Sequence, residues 1–219
     1  MLKLKSIKKS YTQGVENIEI FQNLDFHVQE GMRVAIMGKS GSGKSTLLSL
    51  ISGIIKPDRG DIVLNSISYK ELHESQLNDF RATNIGFVFQ NFHLVSYLNA
   101  LENVMLPAKV CNIPNPKEKA TELLRSVGLE HRLNHLPSQL SGGEKQRVAI
   151  ARALIHNPKI ILADEPSGNL DEETGIAVMD KLFELIEQNG TTLILVTHSK
   201  EIASRCEKVY KLISGTLTH

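Results

Sequence analysis

The sequence contains no tryptophan, only two cysteines among 219 residues, and a formal net charge of just +1. Cys111 and Cys206 are far apart in the sequence, so we predict two free thiols in a reducing compartment rather than a disulfide. The near-zero net charge gives no electrostatic reason to expect nucleic acid as a partner. Lysines within residues 3–9 alternate with leucine at first, which indicates a solvated strand face rather than a binding patch.

Long hydrophobic runs are also missing. None approaches the roughly 18 apolar residues that cross a bilayer, so we predict no direct membrane insertion. Lys3 and Lys5 are followed by no apolar segment, so we expect no signal peptide. With 219 residues, 41% of them hydrophobic, the chain is long enough to form one domain with a sizeable core.

A phosphate-binding loop is the clearest motif that the sequence does contain. Residues 38–45 match the pattern G-x-x-x-x-G-K-[ST], between an apolar run at 34–37 and a helical run at 45–52. Its glycines let backbone amides wrap a β-phosphate, while Lys44 reaches the β- and γ-phosphates. A dinucleotide-binding loop is the competing interpretation, but its G-x-G-x-x-G spacing is absent. The predicted nucleotide-binding residues of the loop are Gly38, Lys39, Ser40, Gly41, Ser42, Gly43, Lys44, Ser45 and Thr46.

Four short apolar runs each end in a polar group. They occupy residues 34–37, 85–89, 160–163 and 193–196, and helical stretches lie between them. Near-continuous apolar runs are typical of strands buried on both faces of a parallel sheet. Ligands bind beyond the carboxyl ends of such strands. The sequence therefore predicts an α/β fold with its chemistry at the strand ends.

The polar groups that follow these runs suit Mg-nucleotide chemistry. Asp164 offers a hard oxygen to Mg²⁺, and Glu165 beside it can hold the attacking water and accept its proton. The Gln90 amide can contact Mg²⁺ or that water, and His198 can donate a hydrogen bond to the γ-phosphate and orient Glu165. Phosphoryl transfer requires positioning and charge stabilisation more than covalent catalysis. The predicted catalytic residues are Glu165, His198, Gln90 and Lys44, and the predicted Mg²⁺ ligands are Ser45, Gln90 and Asp164.

Residues 140–147, Leu-Ser-Gly-Gly-Glu-Lys-Gln-Arg, place two glycines at the start of a helix. Ser141 and Glu144 match a capping box, and a helical apolar pattern follows at residues 148–155. Each glycine costs a helix about 1 kcal/mol relative to alanine. Bare backbone at a helix N-terminus indicates that phosphate approaches closely, whereas the alternative is an ordinary cap with two tolerated glycines. The residues predicted to contact nucleotide here are Ser141, Gly142, Gly143 and Glu144.

Together these motifs resemble those of the ATP-binding cassette (ABC) ATPases, in the same order along the chain. The matching parts are Walker A (38–45), the Q-loop (Gln90), the signature motif (140–144), Walker B (160–164), the catalytic glutamate (Glu165), the D-loop (167–171) and the switch histidine (His198). Tyr11 occupies the position where the family places an aromatic residue that stacks on adenine; an incidental loop tyrosine is the alternative.

A narrower resemblance comes from residues 100–107 and 163–171, which are similar to ATPase subunits of lipoprotein-releasing, macrolide-export and cell-division systems. A Gly-Asn pair in the D-loop indicates the same group. Two positions differ from the usual pattern. Ser167 stands where Thr is common, and Ser199 follows the histidine where Asp is common.

The ABC resemblance implies one ATPase domain over residues 1–219 with a P-loop NTPase (RecA-like) fold. A mostly parallel sheet core with an antiparallel β layer is expected in residues 1–90 and 158–219. A helical subdomain that carries the signature motif is expected in residues 91–157. Four prolines are expected to break its helices: Pro107, Pro114, Pro116 and Pro137.

The resemblance also implies ATP and Mg²⁺ as ligands and a head-to-tail homodimer. Each ATP would lie between Walker A of one subunit and residues 141–143 of the other. A separate integral membrane permease, of the lipoprotein-release or export type, is the implied partner, and the cytoplasmic face of the inner (cell) membrane is the implied location. The apolar segment 92–97 is either the coupling surface for that permease or subdomain core.

Two other functions are open at this point. The first is a soluble ABC ATPase, such as one that serves iron–sulfur cluster biogenesis. The second is a nucleotide-binding module without turnover, which the presence of Glu165 and His198 disfavours.

Overall fold

The computed structural model describes residues 1–14 and 16–218. The chain divides into two compact units. The first contains residues 1–81 and continues from residue 192 onward, and the second contains residues 82–191. Within the described residues, no helix has the length and hydrophobicity needed to cross a membrane.

An antiparallel sheet forms the first layer of the first unit. Its strands are β1 (Leu2–Gln13), β2 (Glu16–Val28), β4 (Arg59–Leu64) and β5 (Ile67–Ser68), in the order β2-β1-β4-β5. Leu2 and Leu4 are buried while Lys3 and Lys5 are exposed, as the two-residue period of a strand requires. The expected antiparallel layer is thus confirmed, and its first lysines lie on the solvent side.

Parallel strands form the second sheet of the first unit. β3 (Arg33–Met37) pairs in parallel with β8 (Thr192–Val196) on one side and β9 (Lys208–Ile213) on the other. β10 (Thr216–Thr218) adds an antiparallel edge to β9. The helices that begin in this unit are α1 (Lys44–Ile51), α2 (Glu74–Asn84) and α7 (Lys200–Ala203).

The second unit combines a parallel strand pair with four helices. β6 (Ile85–Phe89) and β7 (Ile160–Asp164) run in parallel, with Phe89 opposite Asp164. The helices are α3 (Ala100–Val110), α4 (Pro116–Ser126), α5 (Gly142–Leu154) and α6 (Glu172–Asn189). α6 buries Val178, Leu182 and Ile186 on one stripe, so it packs as an amphipathic helix.

The four apolar runs are strands β3, β6, β7 and β8, which confirms the predicted mixed α/β class. The expected proline breaks are only partly correct. Pro107 lies inside α3, where the cap formed by Asn99 and Glu102 and the buried side chains of that helix stabilise it despite one missing amide donor. Pro116 begins α4, because a first helical residue needs no donor to the preceding turn.

Candidate functional site

The phosphate loop connects β3 to α1 through backbone that only glycine accommodates well. Gly41 and Gly43 have φ values of 78° and 99°, in the left-handed region that disfavours larger residues. At Gly38, a Cβ atom would stand 2.7 Å from Ser42 Oγ and 2.8 Å from the Leu212 carbonyl oxygen. The loop therefore requires glycine at these positions. The bend that they allow places backbone amides next to the start of α1.

Lys44 places its charge on this loop. The residue is only 7% exposed, and its Nζ donates hydrogen bonds to the carbonyl oxygens of Gly38 at 2.9 Å and Lys39 at 3.0 Å. The first turn of α1 has no acidic residue and no side-chain cap. The N-terminal dipole and the ammonium group therefore combine into one positive centre that suits phosphate.

Ser42 provides independent support for ligand binding at this loop. Its Oγ is buried and has no hydrogen-bond partner among the described residues. A buried hydroxyl without a partner costs free energy, so such groups are normally satisfied. A phosphate oxygen or a ligand-bound water at this loop would satisfy it.

His198 lies in the same unit and faces the same space. It follows β8 and lines a cavity of about 1170 Å³ together with residues 38–42 of the phosphate loop. The structure thus brings the predicted histidine to the predicted loop. Tyr11 is placed on β1, opposite Ile18; the residue is 42% exposed, and the Lys9 ammonium lies 5.2 Å from its ring centroid.

The second unit carries the predicted carboxylates. Because Phe89 and Asp164 are opposite each other in a parallel pair, Gln90 and Glu165 leave the strands at the same edge. Asp164 and Glu165 are both half-buried. Glu165 has a φ of 45°, a costly conformation for a residue with a side chain. Such strain is common where a side chain must point in one functional direction.

A turn after Glu165 contacts the residue that follows β6. The amide of Gly168 donates to the Glu165 carbonyl at 2.9 Å, which closes the turn. Asn169 then exchanges hydrogen bonds with Gln90 through both its oxygen and its nitrogen. Sequence reasoning treated this Gly-Asn pair only as a subgroup marker, so it missed the contact with Gln90.

The capping box at the start of α5 is formed as predicted. The Glu144 amide donates to Ser141 Oγ at 3.2 Å, and the Ser141 amide donates to Glu144 Oε2 at 2.8 Å. Arg132 Nε donates to the other carboxylate oxygen at 2.9 Å. The Ser141 amide first, and Arg132 in addition, lower the pKa of Glu144, so the box holds its charged form.

The glycine pair at residues 142–143 has a packing role that the sequence did not reveal. Gly143 is buried, and a Cβ atom there would lie 2.5 Å from Thr174 Cγ2 on α6. At Gly142 the nearest atom would be Leu170 Cδ2 at 3.1 Å. Close packing of α5 on α6 therefore requires at least Gly143, in addition to any need for phosphate to approach.

The predicted metal ligands are all hard oxygen donors. Ser45 offers a hydroxyl in the first unit, while Gln90 and Asp164 offer an amide and a carboxylate oxygen in the second. These donor types fit Mg²⁺ rather than a soft metal. No group of three or more His, Cys, Asp or Glu side chains with metal-binding geometry occurs in the part of the chain that the structure describes.

Comparison with known proteins gives a consistent result. A family model described as ABC transporter matches residues 21–168. The lipoprotein-releasing system ATP-binding protein LolD of Legionella pneumophila (strain Lens) is 45% identical over 219 residues, which covers 99% of this chain and 96% of that protein. LolD of Treponema denticola is 44% identical over 216 residues, with 98% and 96% covered.

A solved structure extends the likeness to three dimensions. The dimeric structure of a post-hydrolysis state of the ATP-binding cassette MJ0796, bound to ADP and Pi, matches with a TM-score of 0.92. The two sequences are 42% identical, and the match covers 100% of this chain and 97% of that one. The likeness therefore concerns the whole fold and not the phosphate loop alone.

Replacing Gly143 by alanine tests the packing role. We expect Gly143→Ala to lower the free energy of unfolding by about 1–2 kcal/mol, because the clash with Thr174 outweighs the helical preference of alanine. Adding Thr174→Ser, which removes the clashing methyl group, should restore most of the loss. Urea denaturation measures both effects.

Gly142→Ala is the matched control, because the nearby Leu170 side chain can move aside. We expect it to change stability by less than about 1 kcal/mol. Equal losses for both glycine variants, or no rescue by Thr174→Ser, would contradict the packing account.

Proposed function

Because this chain belongs to the ABC transporter family, we propose that it is the ATP-hydrolysing subunit of a transporter that releases lipoproteins from a membrane. Like its family, it is an ATP-binding ATPase. The observation that carries the proposal is the geometry of the phosphate loop. Lys44 is buried and donates to two carbonyls of the loop, and the buried Ser42 Oγ has no partner among the described residues. The relatives' names supply the transported class.

Binding of ATP would use the loop as it stands. The amides at the start of α1 would donate to phosphate oxygens, and the Lys44 ammonium would turn from the Gly38 and Lys39 carbonyls to the β- and γ-phosphates. The exposed ring of Tyr11 would stack on adenine. Mg²⁺, when bound, would neutralise phosphate charge, and we assign Ser45, Gln90 and Asp164 as its oxygen donors.

Hydrolysis would depend on two further side chains. Glu165 would orient a water molecule and accept its proton, and its left-handed backbone conformation supports a functional role for this residue. His198 would donate a hydrogen bond to the γ-phosphate, and its position in the same cavity as the loop supports this role. In these roles the two residues would position the reacting groups and stabilise charge, and neither would form a covalent intermediate.

A second copy of the chain would complete each site. The first amides of a helix lack partners inside that helix, and α5 begins with two glycines after Ser141. These amides would receive the γ-phosphate bound by the other protomer, in a head-to-tail dimer. The dimeric state of the similar MJ0796 cassette supports this arrangement.

A groove in the second unit is the proposed docking site for a permease helix. It has a volume of about 430 Å³, and its apolar walls include Phe87, Phe89 and Val110. The adjoining segment 92–97 has its first two carbonyls held by Arg152 at 2.7 and 2.6 Å. Tyr97 of that segment is 79% exposed, which favours a coupling surface over the alternative of subdomain core.

A location on the cytoplasmic face of the inner membrane follows from this partner. Transport is favoured over the soluble iron–sulfur alternative, because relatives with 44–45% identity over nearly the whole chain serve lipoprotein release. The helical subdomain of residues 91–157 and the two-part core of residues 1–90 and 158–219 are proposed as the working division of the domain.

Replacing Glu165 by glutamine tests hydrolysis and dimerisation together. We expect Glu165→Gln to slow ATP turnover by about 100-fold or more, because glutamine cannot accept the proton. The same variant should accumulate as an ATP-bound dimer, which light scattering after size-exclusion chromatography detects.

Glu130→Gln, at an exposed carboxylate, is the control and should keep wild-type turnover and remain monomeric under the same conditions. Unchanged steady-state turnover in the Glu165 variant would remove that residue from the proposed role.

Photo-crosslinking tests the coupling surface. A photoreactive amino acid at Tyr97, in cells that also express a lipoprotein-releasing permease of the same organism, should give an adduct with the permease. The same probe at Ile54, which is 55% exposed in the other unit, should give none. Absence of a Tyr97 adduct in every nucleotide state would count against the groove.

A further inference from the structure

Two side-chain amides meet between the end of β6 and the turn after β7. Gln90 Nε2 donates to Asn169 Oδ1 at 3.0 Å, and Asn169 Nδ2 donates back to the Gln90 carbonyl at 3.1 Å. The same nitrogen also donates to Asn91 Oδ1 at 2.8 Å. One asparagine thus contacts both the side chain and the backbone of Gln90.

Hydrogen-bond chemistry fixes the orientation of both amides. The Gln90 backbone carbonyl can only accept, so the group of Asn169 that faces it must be the NH₂ end. The oxygen of Asn169 must then face Gln90, and an oxygen there can only receive an N–H. Gln90 therefore turns its NH₂ group towards Asn169 and leaves its Oε1 on the opposite branch of the amide.

That orientation has a chemical consequence. A metal ligand in an amide side chain is the oxygen, because the NH₂ group has no lone pair available for Mg²⁺. Without a partner, the Gln90 side chain would populate several rotamers and both orientations of its terminal amide, and few of these states present oxygen to the metal. Holding it in one orientation removes that loss before any ligand binds.

The surrounding turn is built to bring Asn169 to Gln90. A Cβ atom on Gly168 would lie 2.8 Å from Gln90 Nε2, so a larger residue here would displace the Gln90 amide from its present position. The Gly168 amide is bonded to the Glu165 carbonyl, and Asp171 caps α6 through the Thr174 amide at 2.9 Å. Asn169 is therefore anchored on both sides along the chain.

We propose that Asn169 is a positioning residue that sets the amide of Gln90 so that its oxygen faces the metal of Mg-ATP. Asn169 itself touches neither nucleotide nor metal in this scheme. The inference rests on the proposed role of Gln90 as an Mg²⁺ ligand, and it adds the residue that makes Gln90 competent for that role. It also links the Glu165 turn to the segment that leads to the permease groove.

Asn169→Leu is the most informative variant. Leucine has nearly the same shape, so packing is preserved, but it offers no acceptor to Gln90 Nε2 and no donor to the Gln90 carbonyl. If Asn169 only filled space, this variant would behave like the wild type, whereas an orienting role predicts a loss comparable to that of Asn169→Ala.

Mn²⁺ is the probe for the metal, since its binding is measured directly by electron paramagnetic resonance. The 219-residue chain is titrated with Mn²⁺ in the presence of a non-hydrolysable ATP analogue. We expect Asn169→Ala and Asn169→Leu to weaken Mn²⁺ binding by about 10-fold or more. Metal-free binding of the analogue, measured in EDTA, should stay within about twofold of the wild type.

Asn91→Ala is the matched control. It removes one acceptor from Asn169 but leaves both contacts with Gln90, so Mn²⁺ affinity should change by less than about twofold. Gln90→Ala should weaken Mn²⁺ binding as strongly as the Asn169 variants do. The double variant Gln90→Ala/Asn169→Ala should be no weaker than Gln90→Ala alone, because Asn169 acts through Gln90.

Each other outcome overturns the inference at an identifiable step. Wild-type Mn²⁺ affinity in Asn169→Leu, an equal loss in Asn91→Ala, or additive losses in the double variant would show that Asn169 does not orient Gln90. If Gln90→Ala itself leaves Mn²⁺ affinity unchanged, the proposed metal role of Gln90 fails, and the inference fails with it.

Discussion

Lys44 donates to the carbonyl oxygens of Gly38 and Lys39, and this contact defines the phosphate loop. A nearly buried ammonium group needs acceptors, and the loop supplies two of its own. The same positive charge lies at the dipole end of α1, where an anion is stabilised most. A phosphate group can replace the two carbonyls as partner of Lys44, so the loop is already shaped for its ligand. The proposed roles of the other site residues all depend on a phosphate group bound at this positive centre.

The other proposed site residues of the second unit follow directly after strands, so the sheet leaves them little freedom of position. The register of β6 and β7 sets Gln90 and Glu165 at one sheet edge. Asn169 restrains the Gln90 amide, whose oxygen and nitrogen ends have similar shapes but different chemistry. Backbone register and hydrogen bonding thus each fix one feature of the second unit. Together they order these groups before a ligand binds, and such preorganisation favours phosphoryl transfer.

Much of this could be predicted from sequence because the signals were local. The G-x-x-x-x-G-K-[ST] loop, the apolar strands and the Ser141–Glu144 capping box each lie within a few consecutive residues, and the structure contains all three. What sequence reasoning missed depends on residues distant along the chain. Gly143 needs its small size because of Thr174, and Asn169 contacts Gln90 across 79 positions. The break expected at Pro107 was wrong because propensity is a weaker influence than a capped, buried helix. The roles of the site residues stay predictions.

Mixing two inactive proteins tests most directly whether ATP is hydrolysed between two protomers. One protein carries Lys44→Ala and the other carries Ser141→Arg, and each alone should lack turnover. In a mixed head-to-tail dimer, one site combines both defects and the other has Lys44 and Ser141 intact. The account predicts that mixing restores about a quarter of wild-type ATPase activity, since half of randomly paired dimers carry one intact site. No activity above the sum of the two separate proteins would contradict the account, because it would place both residues in a site within one protomer.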